Sequence, residues 1–212
     1  MLIHPWDAAT RDEWQGVLRD ADFAQLVTAG HVDGYPVVVP THFVYDGDST
    51  VLLHLARPNP VWRALDADPH VVLALTSDYT YVEAAWNANP GTDPDVGVPT
   101  SYYTGIQLLC RADVVDDPDE KAEILAVQLA HFEPDGSTRV RPATEVESDR
   151  RQLPGIRGLR LHVEAVRAKM KYGGNKTPEH RAEIADRLAE RDGPLDAAAR
   201  QHLLRRTDAG TA

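Results

Sequence analysis

The stretch of sequence that decides the fold is His54-Leu55-Ala56-Arg57-Pro58-Asn59-Pro60-Val61-Trp62. Its first residues complete the apolar run Val51–Leu55, which is typical of a strand. Asn59 followed by Pro60 predicts a helix start, because Asn is a preferred N-cap and Pro is favoured at the first helical position. The stretch therefore predicts a strand that leads through a polar turn into a short helix.

Strand-like runs and tight turns continue on both sides of this stretch. Asp33-Gly34 predicts a hairpin, because both residues tolerate positive φ. Thr100–Val115 is long and strand-like, and Gly158–Val166 alternates apolar and polar residues as a half-buried strand does. Asp117-Pro118 and Thr177-Pro178 predict helix starts. This order favours an α+β, mainly β fold, a split β-barrel with peripheral helices, over an alternating βα fold.

The predicted domain organisation is simple. We expect one split-barrel domain with flanking helices over residues 1–190 and a helical tail over residues 191–212. A chain of 212 residues is long enough for one sizeable core.

The charge of the chain is unevenly distributed. The sequence has 33 acidic and 22 basic residues, for a net charge of −11; residues 1–149 carry −17 and residues 150–212 carry +6. Nucleic-acid binding needs net positive charge toward the phosphates, so the acidic body argues against a nucleic-acid partner. The basic last third suits a small anion better.

Several features indicate a cytoplasmic protein. The N-terminal residues lack the basic start and apolar core of a signal peptide. No apolar run approaches the roughly 20 residues that span a bilayer. The single cysteine, Cys110, excludes an internal disulfide and a zinc site built on several thiolates. We therefore expect no membrane partner.

Polar residues at the predicted strand ends are the candidates for ligand binding. Arg57, Lys171 and Lys176 are able to hold a phosphate or a carboxylate, Arg as a fork and Lys as a point charge. His54, Asn59 and Trp62 also have purely structural interpretations, as a strand histidine, a helix cap and a core residue. No general base stands out, since His42, Tyr102 and Tyr103 are all candidates for catalysis.

Together these segments resemble the PaiB-type family of FMN-binding negative transcriptional regulators, within the flavin-binding split-barrel group that includes pyridoxamine phosphate oxidase. The resemblance covers about residues 1–190, and its most specific part is His-x-Ala-Arg-x-Asn-Pro-x-Trp at residues 54–62. The other matching segments are Pro40-Thr41-His42, Pro99-Thr100, Leu153-Pro154-Gly155-Ile156-Arg157-Gly158, and Lys171 with Asn175. The chain departs from the family pattern at Ser101-Tyr102-Tyr103, which follows Pro99-Thr100, and over Lys171-Tyr172-Gly173-Gly174-Asn175-Lys176.

The resemblance implies an FMN-binding flavoprotein, an oxidoreductase acting on a small-molecule substrate, and a homodimer with cofactor sites at the subunit interface. In such a site, Arg57, Lys171 or Lys176 would hold the flavin phosphate, and no metal is implied. Hydroxyl groups would bind phosphate or ring atoms, and Trp62 would support the wall. The residues implied for cofactor binding are Thr41, His42, His54, Arg57, Asn59, Trp62, Thr100, Ser101, Lys171, Asn175 and Lys176.

Haem b is the alternative cofactor. Split barrels include haem proteins, and the haem-dependent piperazate synthases, which close an N–N bond in N5-hydroxyornithine, resemble PaiB-type sequences. Haem needs an axial ligand, commonly an imidazole. In this interpretation His54 is the first candidate for that ligand and His42 the second.

A PaiB-like transcriptional regulator is the third interpretation. The sequence shows no helix-turn-helix pattern, and the body is strongly acidic. The basic terminal helix is the one candidate for contact with DNA.

Overall fold

The computed structural model describes residues 1–135, 137–138 and 141–208, the last three by their backbone. The strands are β1 (Phe23–Val32), β2 (Tyr35–His42), β3 (Val44–Tyr45), β4 (Thr50–Ala56), β5 (His70–Val82), β6 (Thr100–Val115) and β7 (Ile156–Lys171). The helices are α1 (Arg11–Asp20), α2 (Val61–Ala67), α3 (Ala84–Asn87), α4 (Pro118–Phe132), α5 (Glu147–Gln152), α6 (Pro178–Arg191) and α7 (Asp196–Asp208), with short 3-10 turns at Pro5–Asp7, Pro94–Val96 and Leu153–Gly155.

Local side-chain chemistry sets several element boundaries where the sequence predicts them. The Asp117 carboxylate accepts hydrogen bonds from the N–H groups of Asp119 and Glu120 and so caps α4. Thr177 caps α6 in the same way. The Asp33-Gly34 hairpin has the predicted positive φ values of 54° and 87°. The strand prediction for Thr100–Val115 is also confirmed.

The strands form one open, antiparallel sheet in the order β2-β1-β5-β6-β7-β4-β3. Strand β1 pairs with β2 and β5, and β4 pairs with β3 and β7. A seven-stranded sheet that does not close, flanked by helices, confirms the predicted α+β split-barrel fold.

Two helices of the structure have no signal in the sequence pattern. Helix α5 is polar throughout and is held by its surroundings: its buried Asp149 carboxylate accepts a hydrogen bond from the Ala143 N–H. Helix α3 is a single short turn, Ala84–Asn87, without buried side chains. Neither has an apolar stripe of helical period, which is the signal that sequence reasoning uses.

The chain divides by its contacts into two compact units. The first comprises Met1–Arg11, Leu75–Ile106 and Ala168–Ala212, and the second comprises Asp12–Ala74 and Gln107–Arg167. In the first unit, Tyr102, Tyr172 and Met170 are fully buried, and Arg191 ties α6 to Asp196 of α7. In the second unit, the buried side chains come mainly from the strands and α2: Leu26, Phe43, Val51, Leu53, Val61, Trp62, Leu73, Leu159 and Leu161.

The domain boundary at residue 190 stays a prediction, and residues 209–212 of the predicted tail lie outside the described residues. Among the helices that the structure describes, none is long and apolar enough to cross a bilayer.

Candidate functional site

A cavity of about 300 Å³ in the first unit contains most of the basic residues that the sequence singles out. We call it the lysine pocket. The first residue of β6, the last of β7 and the turn after β7 contribute Thr100, Lys171, Asn175 and Lys176, so these four predicted site residues are brought together. The complete lining is His4, Trp6, Asp7, Asn87, Thr100, Tyr102, Lys169, Lys171, Gly173, Asn175 and Lys176.

The lysines of this pocket are held by neutral oxygens. Lys171 Nζ donates a hydrogen bond to Thr100 Oγ1 at 2.6 Å, and Lys176 Nζ donates to the Asn87 carbonyl at 3.1 Å. Burial lowers the pKa of both lysines, and neighbouring Lys169 lowers that of Lys171 further. Among the described residues neither has a carboxylate within salt-bridge distance, and the more distant Asp7 raises the pKa of Lys171 in part.

Lys169 differs from the other two lysines because it has an acidic partner. Its Nζ lies 3.7 Å from a carboxylate oxygen of Asp7, and both side chains are at least nine-tenths buried. It also donates a hydrogen bond to the Leu2 carbonyl. The pocket therefore holds three lysines and one carboxylate and keeps a net positive charge when its lysines are protonated.

Two buried polar atoms of the lysine pocket have no hydrogen-bond partner among the described residues: the Tyr102 hydroxyl and the Asn87 Oδ1 atom. Tyr102 is 1 % exposed, and burial raises the pKa of its phenol, which therefore stays protonated. A Cβ at Gly173, which has a φ of 65°, would lie 2.8 Å from the Tyr102 oxygen. The missing side chain at Gly173 thus leaves room beside that hydroxyl.

A second cavity, of about 380 Å³, lies in the second unit around His42 and His54. We call it the histidine pocket. The two imidazole rings meet edge to face with centroids 5.4 Å apart, and Phe132 packs edge-on against His42. Burial and the neighbouring His54 lower the pKa of His42, so this imidazole favours its neutral form. The lining is Asp22, Phe23, His42, His54, Leu125, Gln128, Leu129 and Phe132.

Helix α4 is placed over His54 by a glycine on the paired strand. His54 of β4 pairs with Gly158 of β7, where a Cβ would lie only 2.7 Å from Ile124 Cδ1. Because Gly158 has no side chain, α4 packs close to the strands. One turn further along α4, Gln128 Oε1 then lies 2.6 Å from His54 Nδ1.

The other predicted site residues between positions 54 and 62 form hydrogen bonds to groups of the protein itself. Arg57 donates hydrogen bonds to the Pro154 carbonyl and to Asp116. Asn59 Oδ1 accepts from the Val61 N–H, which confirms the helix start, although the N-cap position itself is Pro60. Trp62 is buried, donates to the Ala56 carbonyl and lies under the Arg157 guanidinium.

The two remaining predicted site residues lie on strands. Thr41 is buried on β2, and its hydroxyl donates to the His42 carbonyl. Ser101 lies half-buried on β6 beside Thr100. Neither lines the lysine pocket or the histidine pocket.

Sequence reasoning missed Asp7, Asn87 and Gln128. Gln128 lies four residues after Ile124 and four before Phe132, on the side of α4 that meets the strands. A polar residue at such a position requires a hydrogen-bonding partner, and this is the signal that could have found it. Asp7 ends a 3-10 turn and Asn87 ends the four-residue helix α3, and neither short element has a periodicity that marks these residues.

Comparisons with known proteins give one matching family. The model of a family described as "Putative FMN-binding domain" matches residues 1–165. The chain is 24% identical over 189 residues to the "Protease synthase and sporulation protein PAI 2" of Bacillus subtilis, covering 86% of each chain.

Two solved structures share the fold at low identity. The "FAD and Heme binding protein" from Mycobacterium smegmatis is 20% identical with a TM-score of 0.60, covering 79% of this chain and 74% of that one. The "Flavocytochrome Anf3" from Azotobacter vinelandii is 20% identical with a TM-score of 0.57, covering 80% and 75%.

Proposed function

Because the chain belongs to the "Putative FMN-binding domain" family, we propose that it binds flavin mononucleotide and that the lysine pocket receives the ribityl phosphate of the flavin. The observation that carries the proposal is the pair of lysines without a carboxylate partner, Lys171 and Lys176, beside the unpartnered Tyr102 hydroxyl.

The polar atoms of the pocket match the chemistry of a ribityl phosphate. Lysine ammonium groups and a protonated phenol are donors, and phosphate oxygens are strong acceptors. Asn87 Oδ1 is an acceptor and needs a ligand that also carries an O–H or N–H group. The phosphate group of a monoester dianion has no proton to donate to this atom, whereas the hydroxyl groups of a ribityl chain can donate to it.

The positive charge of the lysine pocket also matches the negative charge of a phosphate group. A phosphate monoester carries about −1.5 to −2 charges at neutral pH. Asp7 compensates Lys169, which leaves Lys171 and Lys176 as two positive charges for one dianion. Arg57 is already bonded to Asp116 and Pro154, so a contribution of its guanidinium to phosphate binding stays a prediction.

The proposed activity is a redox reaction on a small molecule, for which a bound flavin would supply hydride and electron transfer. The residues of the chain bind and orient. Tyr102 acts as a hydrogen-bond donor, because a buried phenol with a raised pKa does not serve as a base near neutral pH. His42, which lines the histidine pocket and whose neutral form is favoured, stays a candidate acid–base group. We also propose that the substrate is a small molecule and that the protein forms a homodimer, as the resemblance implies.

An absorption spectrum of the purified protein tests this function. We expect the two near-ultraviolet and blue bands of an oxidised flavin, and release of FMN on denaturation. A protein that has only a Soret band, and that does not take up added FMN, would reject the flavin proposal. Light scattering tests the dimer, and a gel-shift at moderate salt tests DNA binding by a regulator.

Haem b is a second candidate, and the histidine pocket favours it. His54 Nδ1 is bonded to Gln128, while Nε2 has no bond to any described residue, as an axial ligand requires. The remaining walls are largely apolar. The two similar structures named above are titled for haem together with a flavin or as a flavocytochrome. In this proposal the reaction is of the N–N bond-forming type, and His54→Ala abolishes the Soret band.

A further inference from the structure

The side chain of Gln128 is buried and half satisfied. It is 3 % exposed, its Oε1 atom lies 2.6 Å from His54 Nδ1, and its Nε2 atom has no hydrogen-bond partner among the described residues. Leaving a buried amide N–H group unpaired destabilises the folded protein. A leucine or methionine would fill the same space without that cost, so the amide needs a reason.

The hydrogen bond determines the tautomer of His54. A carbonyl oxygen can only accept, so the proton of the neutral imidazole must lie on Nδ1 when Oε1 faces it. The lone pair is then on Nε2, the nitrogen with no bond to a described residue. The neighbouring His42 packs against the ring of His54 from another side.

The position of Gln128 is fixed by the fold. Asp117 caps the start of α4, and the close approach of Ile124 to Gly158 fixes the helix next to the paired residue His54. The amide is thus held by backbone packing and by the strand pairing. Because the Gln128 side chain is buried, its amide is held in one position beside His54.

We propose that Gln128 is the positioning residue of the histidine pocket: its carbonyl oxygen holds the Nδ1–H tautomer and the ring orientation of His54, so that Nε2 is presented to a bound haem iron. This rests on the second candidate function above.

The first test uses the protein without haem, so that it does not depend on the cofactor. Nitrogen-15 NMR of the imidazoles, with His54→Ala to assign the signal, reports the tautomer directly. We expect the Nδ1–H form in the wild type and a mixture of tautomers in Gln128→Met. Gln25→Met, which changes an exposed glutamine on β1, should leave the His54 signal unchanged. An Nε2–H form in the wild type, or no change in Gln128→Met, would overturn the inference.

The second test uses the haem-loaded protein. Loss of an outer hydrogen bond to a ligating histidine typically lowers metal affinity by roughly 10- to 100-fold, and we expect that loss of haem affinity in Gln128→Met. Gln128→Glu keeps an acceptor and should restore affinity, with a stronger iron–histidine stretch in resonance Raman spectra. If Gln128→Met does not fold, Gln128→Glu carries the test, and an unchanged iron–histidine stretch would count against the inference.

The two proposals fail in different ways. A wild-type protein that takes up no haem rejects the second candidate function, whereas the NMR result still decides the role of Gln128 in setting the tautomer. A protein that loses haem in His54→Ala but keeps full affinity in Gln128→Met supports the candidate function and contradicts the inference.

Discussion

The ammonium group of Lys171 lies 2.6 Å from the hydroxyl of Thr100, a residue 71 positions earlier in the chain. Thr100 is the first residue of β6 and Lys171 is the last residue of β7, and these strands are neighbours in the sheet. Antiparallel neighbours bring the start of one strand beside the end of the other. The pairing of β6 with β7 therefore brings these two residues of the lysine pocket together.

Lys171→Met should weaken FMN binding by about tenfold or more, because a hydrogen bond to a charged group contributes roughly 1.5–3 kcal/mol. Quenching of flavin fluorescence measures the dissociation constant. Arg167→Met removes an exposed positive charge from the same strand and serves as the matched control. An equal loss of affinity in both variants would show that only the overall charge matters.

Asp7→Asn should tighten phosphate binding and lower the stability of the free protein. The substitution removes the carboxylate that compensates buried Lys169, and breaking a buried ion pair costs about 3 kcal/mol or more. Urea unfolding with and without inorganic phosphate separates the two effects. We expect phosphate to stabilise Asp7→Asn more than the wild type or the exposed-site control Asp20→Asn. Equal stabilisation of all three would contradict the account of the pocket charge.

Tyr102→Phe should lower the affinity for FMN without lowering the stability of the free protein. The Tyr102 hydroxyl has no partner among the described residues, so its removal should leave the free protein unchanged or up to about 1 kcal/mol more stable. FMN affinity should fall several-fold, because the ligand loses a donor. Tyr103→Phe, on the next residue of β6, is the control. A variant that loses stability without losing affinity would make the hydroxyl a structural group.

Asp196 should make the attachment of α7 sensitive to acid. Its carboxylate accepts hydrogen bonds from Arg191, Thr80 and the Gly193 N–H, which lower its pKa to about 2. Because the folded pKa lies below the ordinary value, this stabilisation is present above about pH 4 and is lost as the pH falls toward 2. This lowering of the Asp196 pKa corresponds to about 2 kcal/mol in the free energy of unfolding.

Urea unfolding of Asp196→Asn at neutral pH and at pH 3 measures that contribution. The variant should be less stable than the wild type at neutral pH, and the difference should shrink at pH 3. Asp186→Asn, on the exposed side of α6, should show little difference at either pH. A stability gap for Asp196→Asn that does not change with pH would contradict the assignment of the lowered pKa.

The features that the sequence predicts correctly are those with a local cause. The caps at Asp117 and Thr177 and the hairpin at Asp33-Gly34 depend on neighbouring residues, and each is where the sequence predicts it. The bond between His54 and Gln128 joins residues 74 positions apart, and only the pairing of His54 with Gly158 explains it. Sequence patterns report periodicity and turns, but they do not report which residue of one strand faces which residue of another.

The same limit applies to the candidate site. Lysines in a glycine-containing turn suggest an anion site, and the structure places Lys171 and Lys176 in one pocket. The sequence does not show that Asp7 compensates Lys169 or that Asn87 Oδ1 is left without a partner. These depend on long-range packing of short turns, which carries no periodic signal.

The most direct test of the central proposal, that the lysine pocket receives the flavin phosphate, compares FMN with riboflavin. The two ligands differ only in the phosphate, and calorimetric titration of the cofactor-free protein measures both affinities. We expect FMN to bind at least about 100-fold more tightly, since two charge-assisted contacts of roughly 1.5–3 kcal/mol each are lost with riboflavin. Equal affinity for the two ligands, or binding of neither, would contradict the proposal.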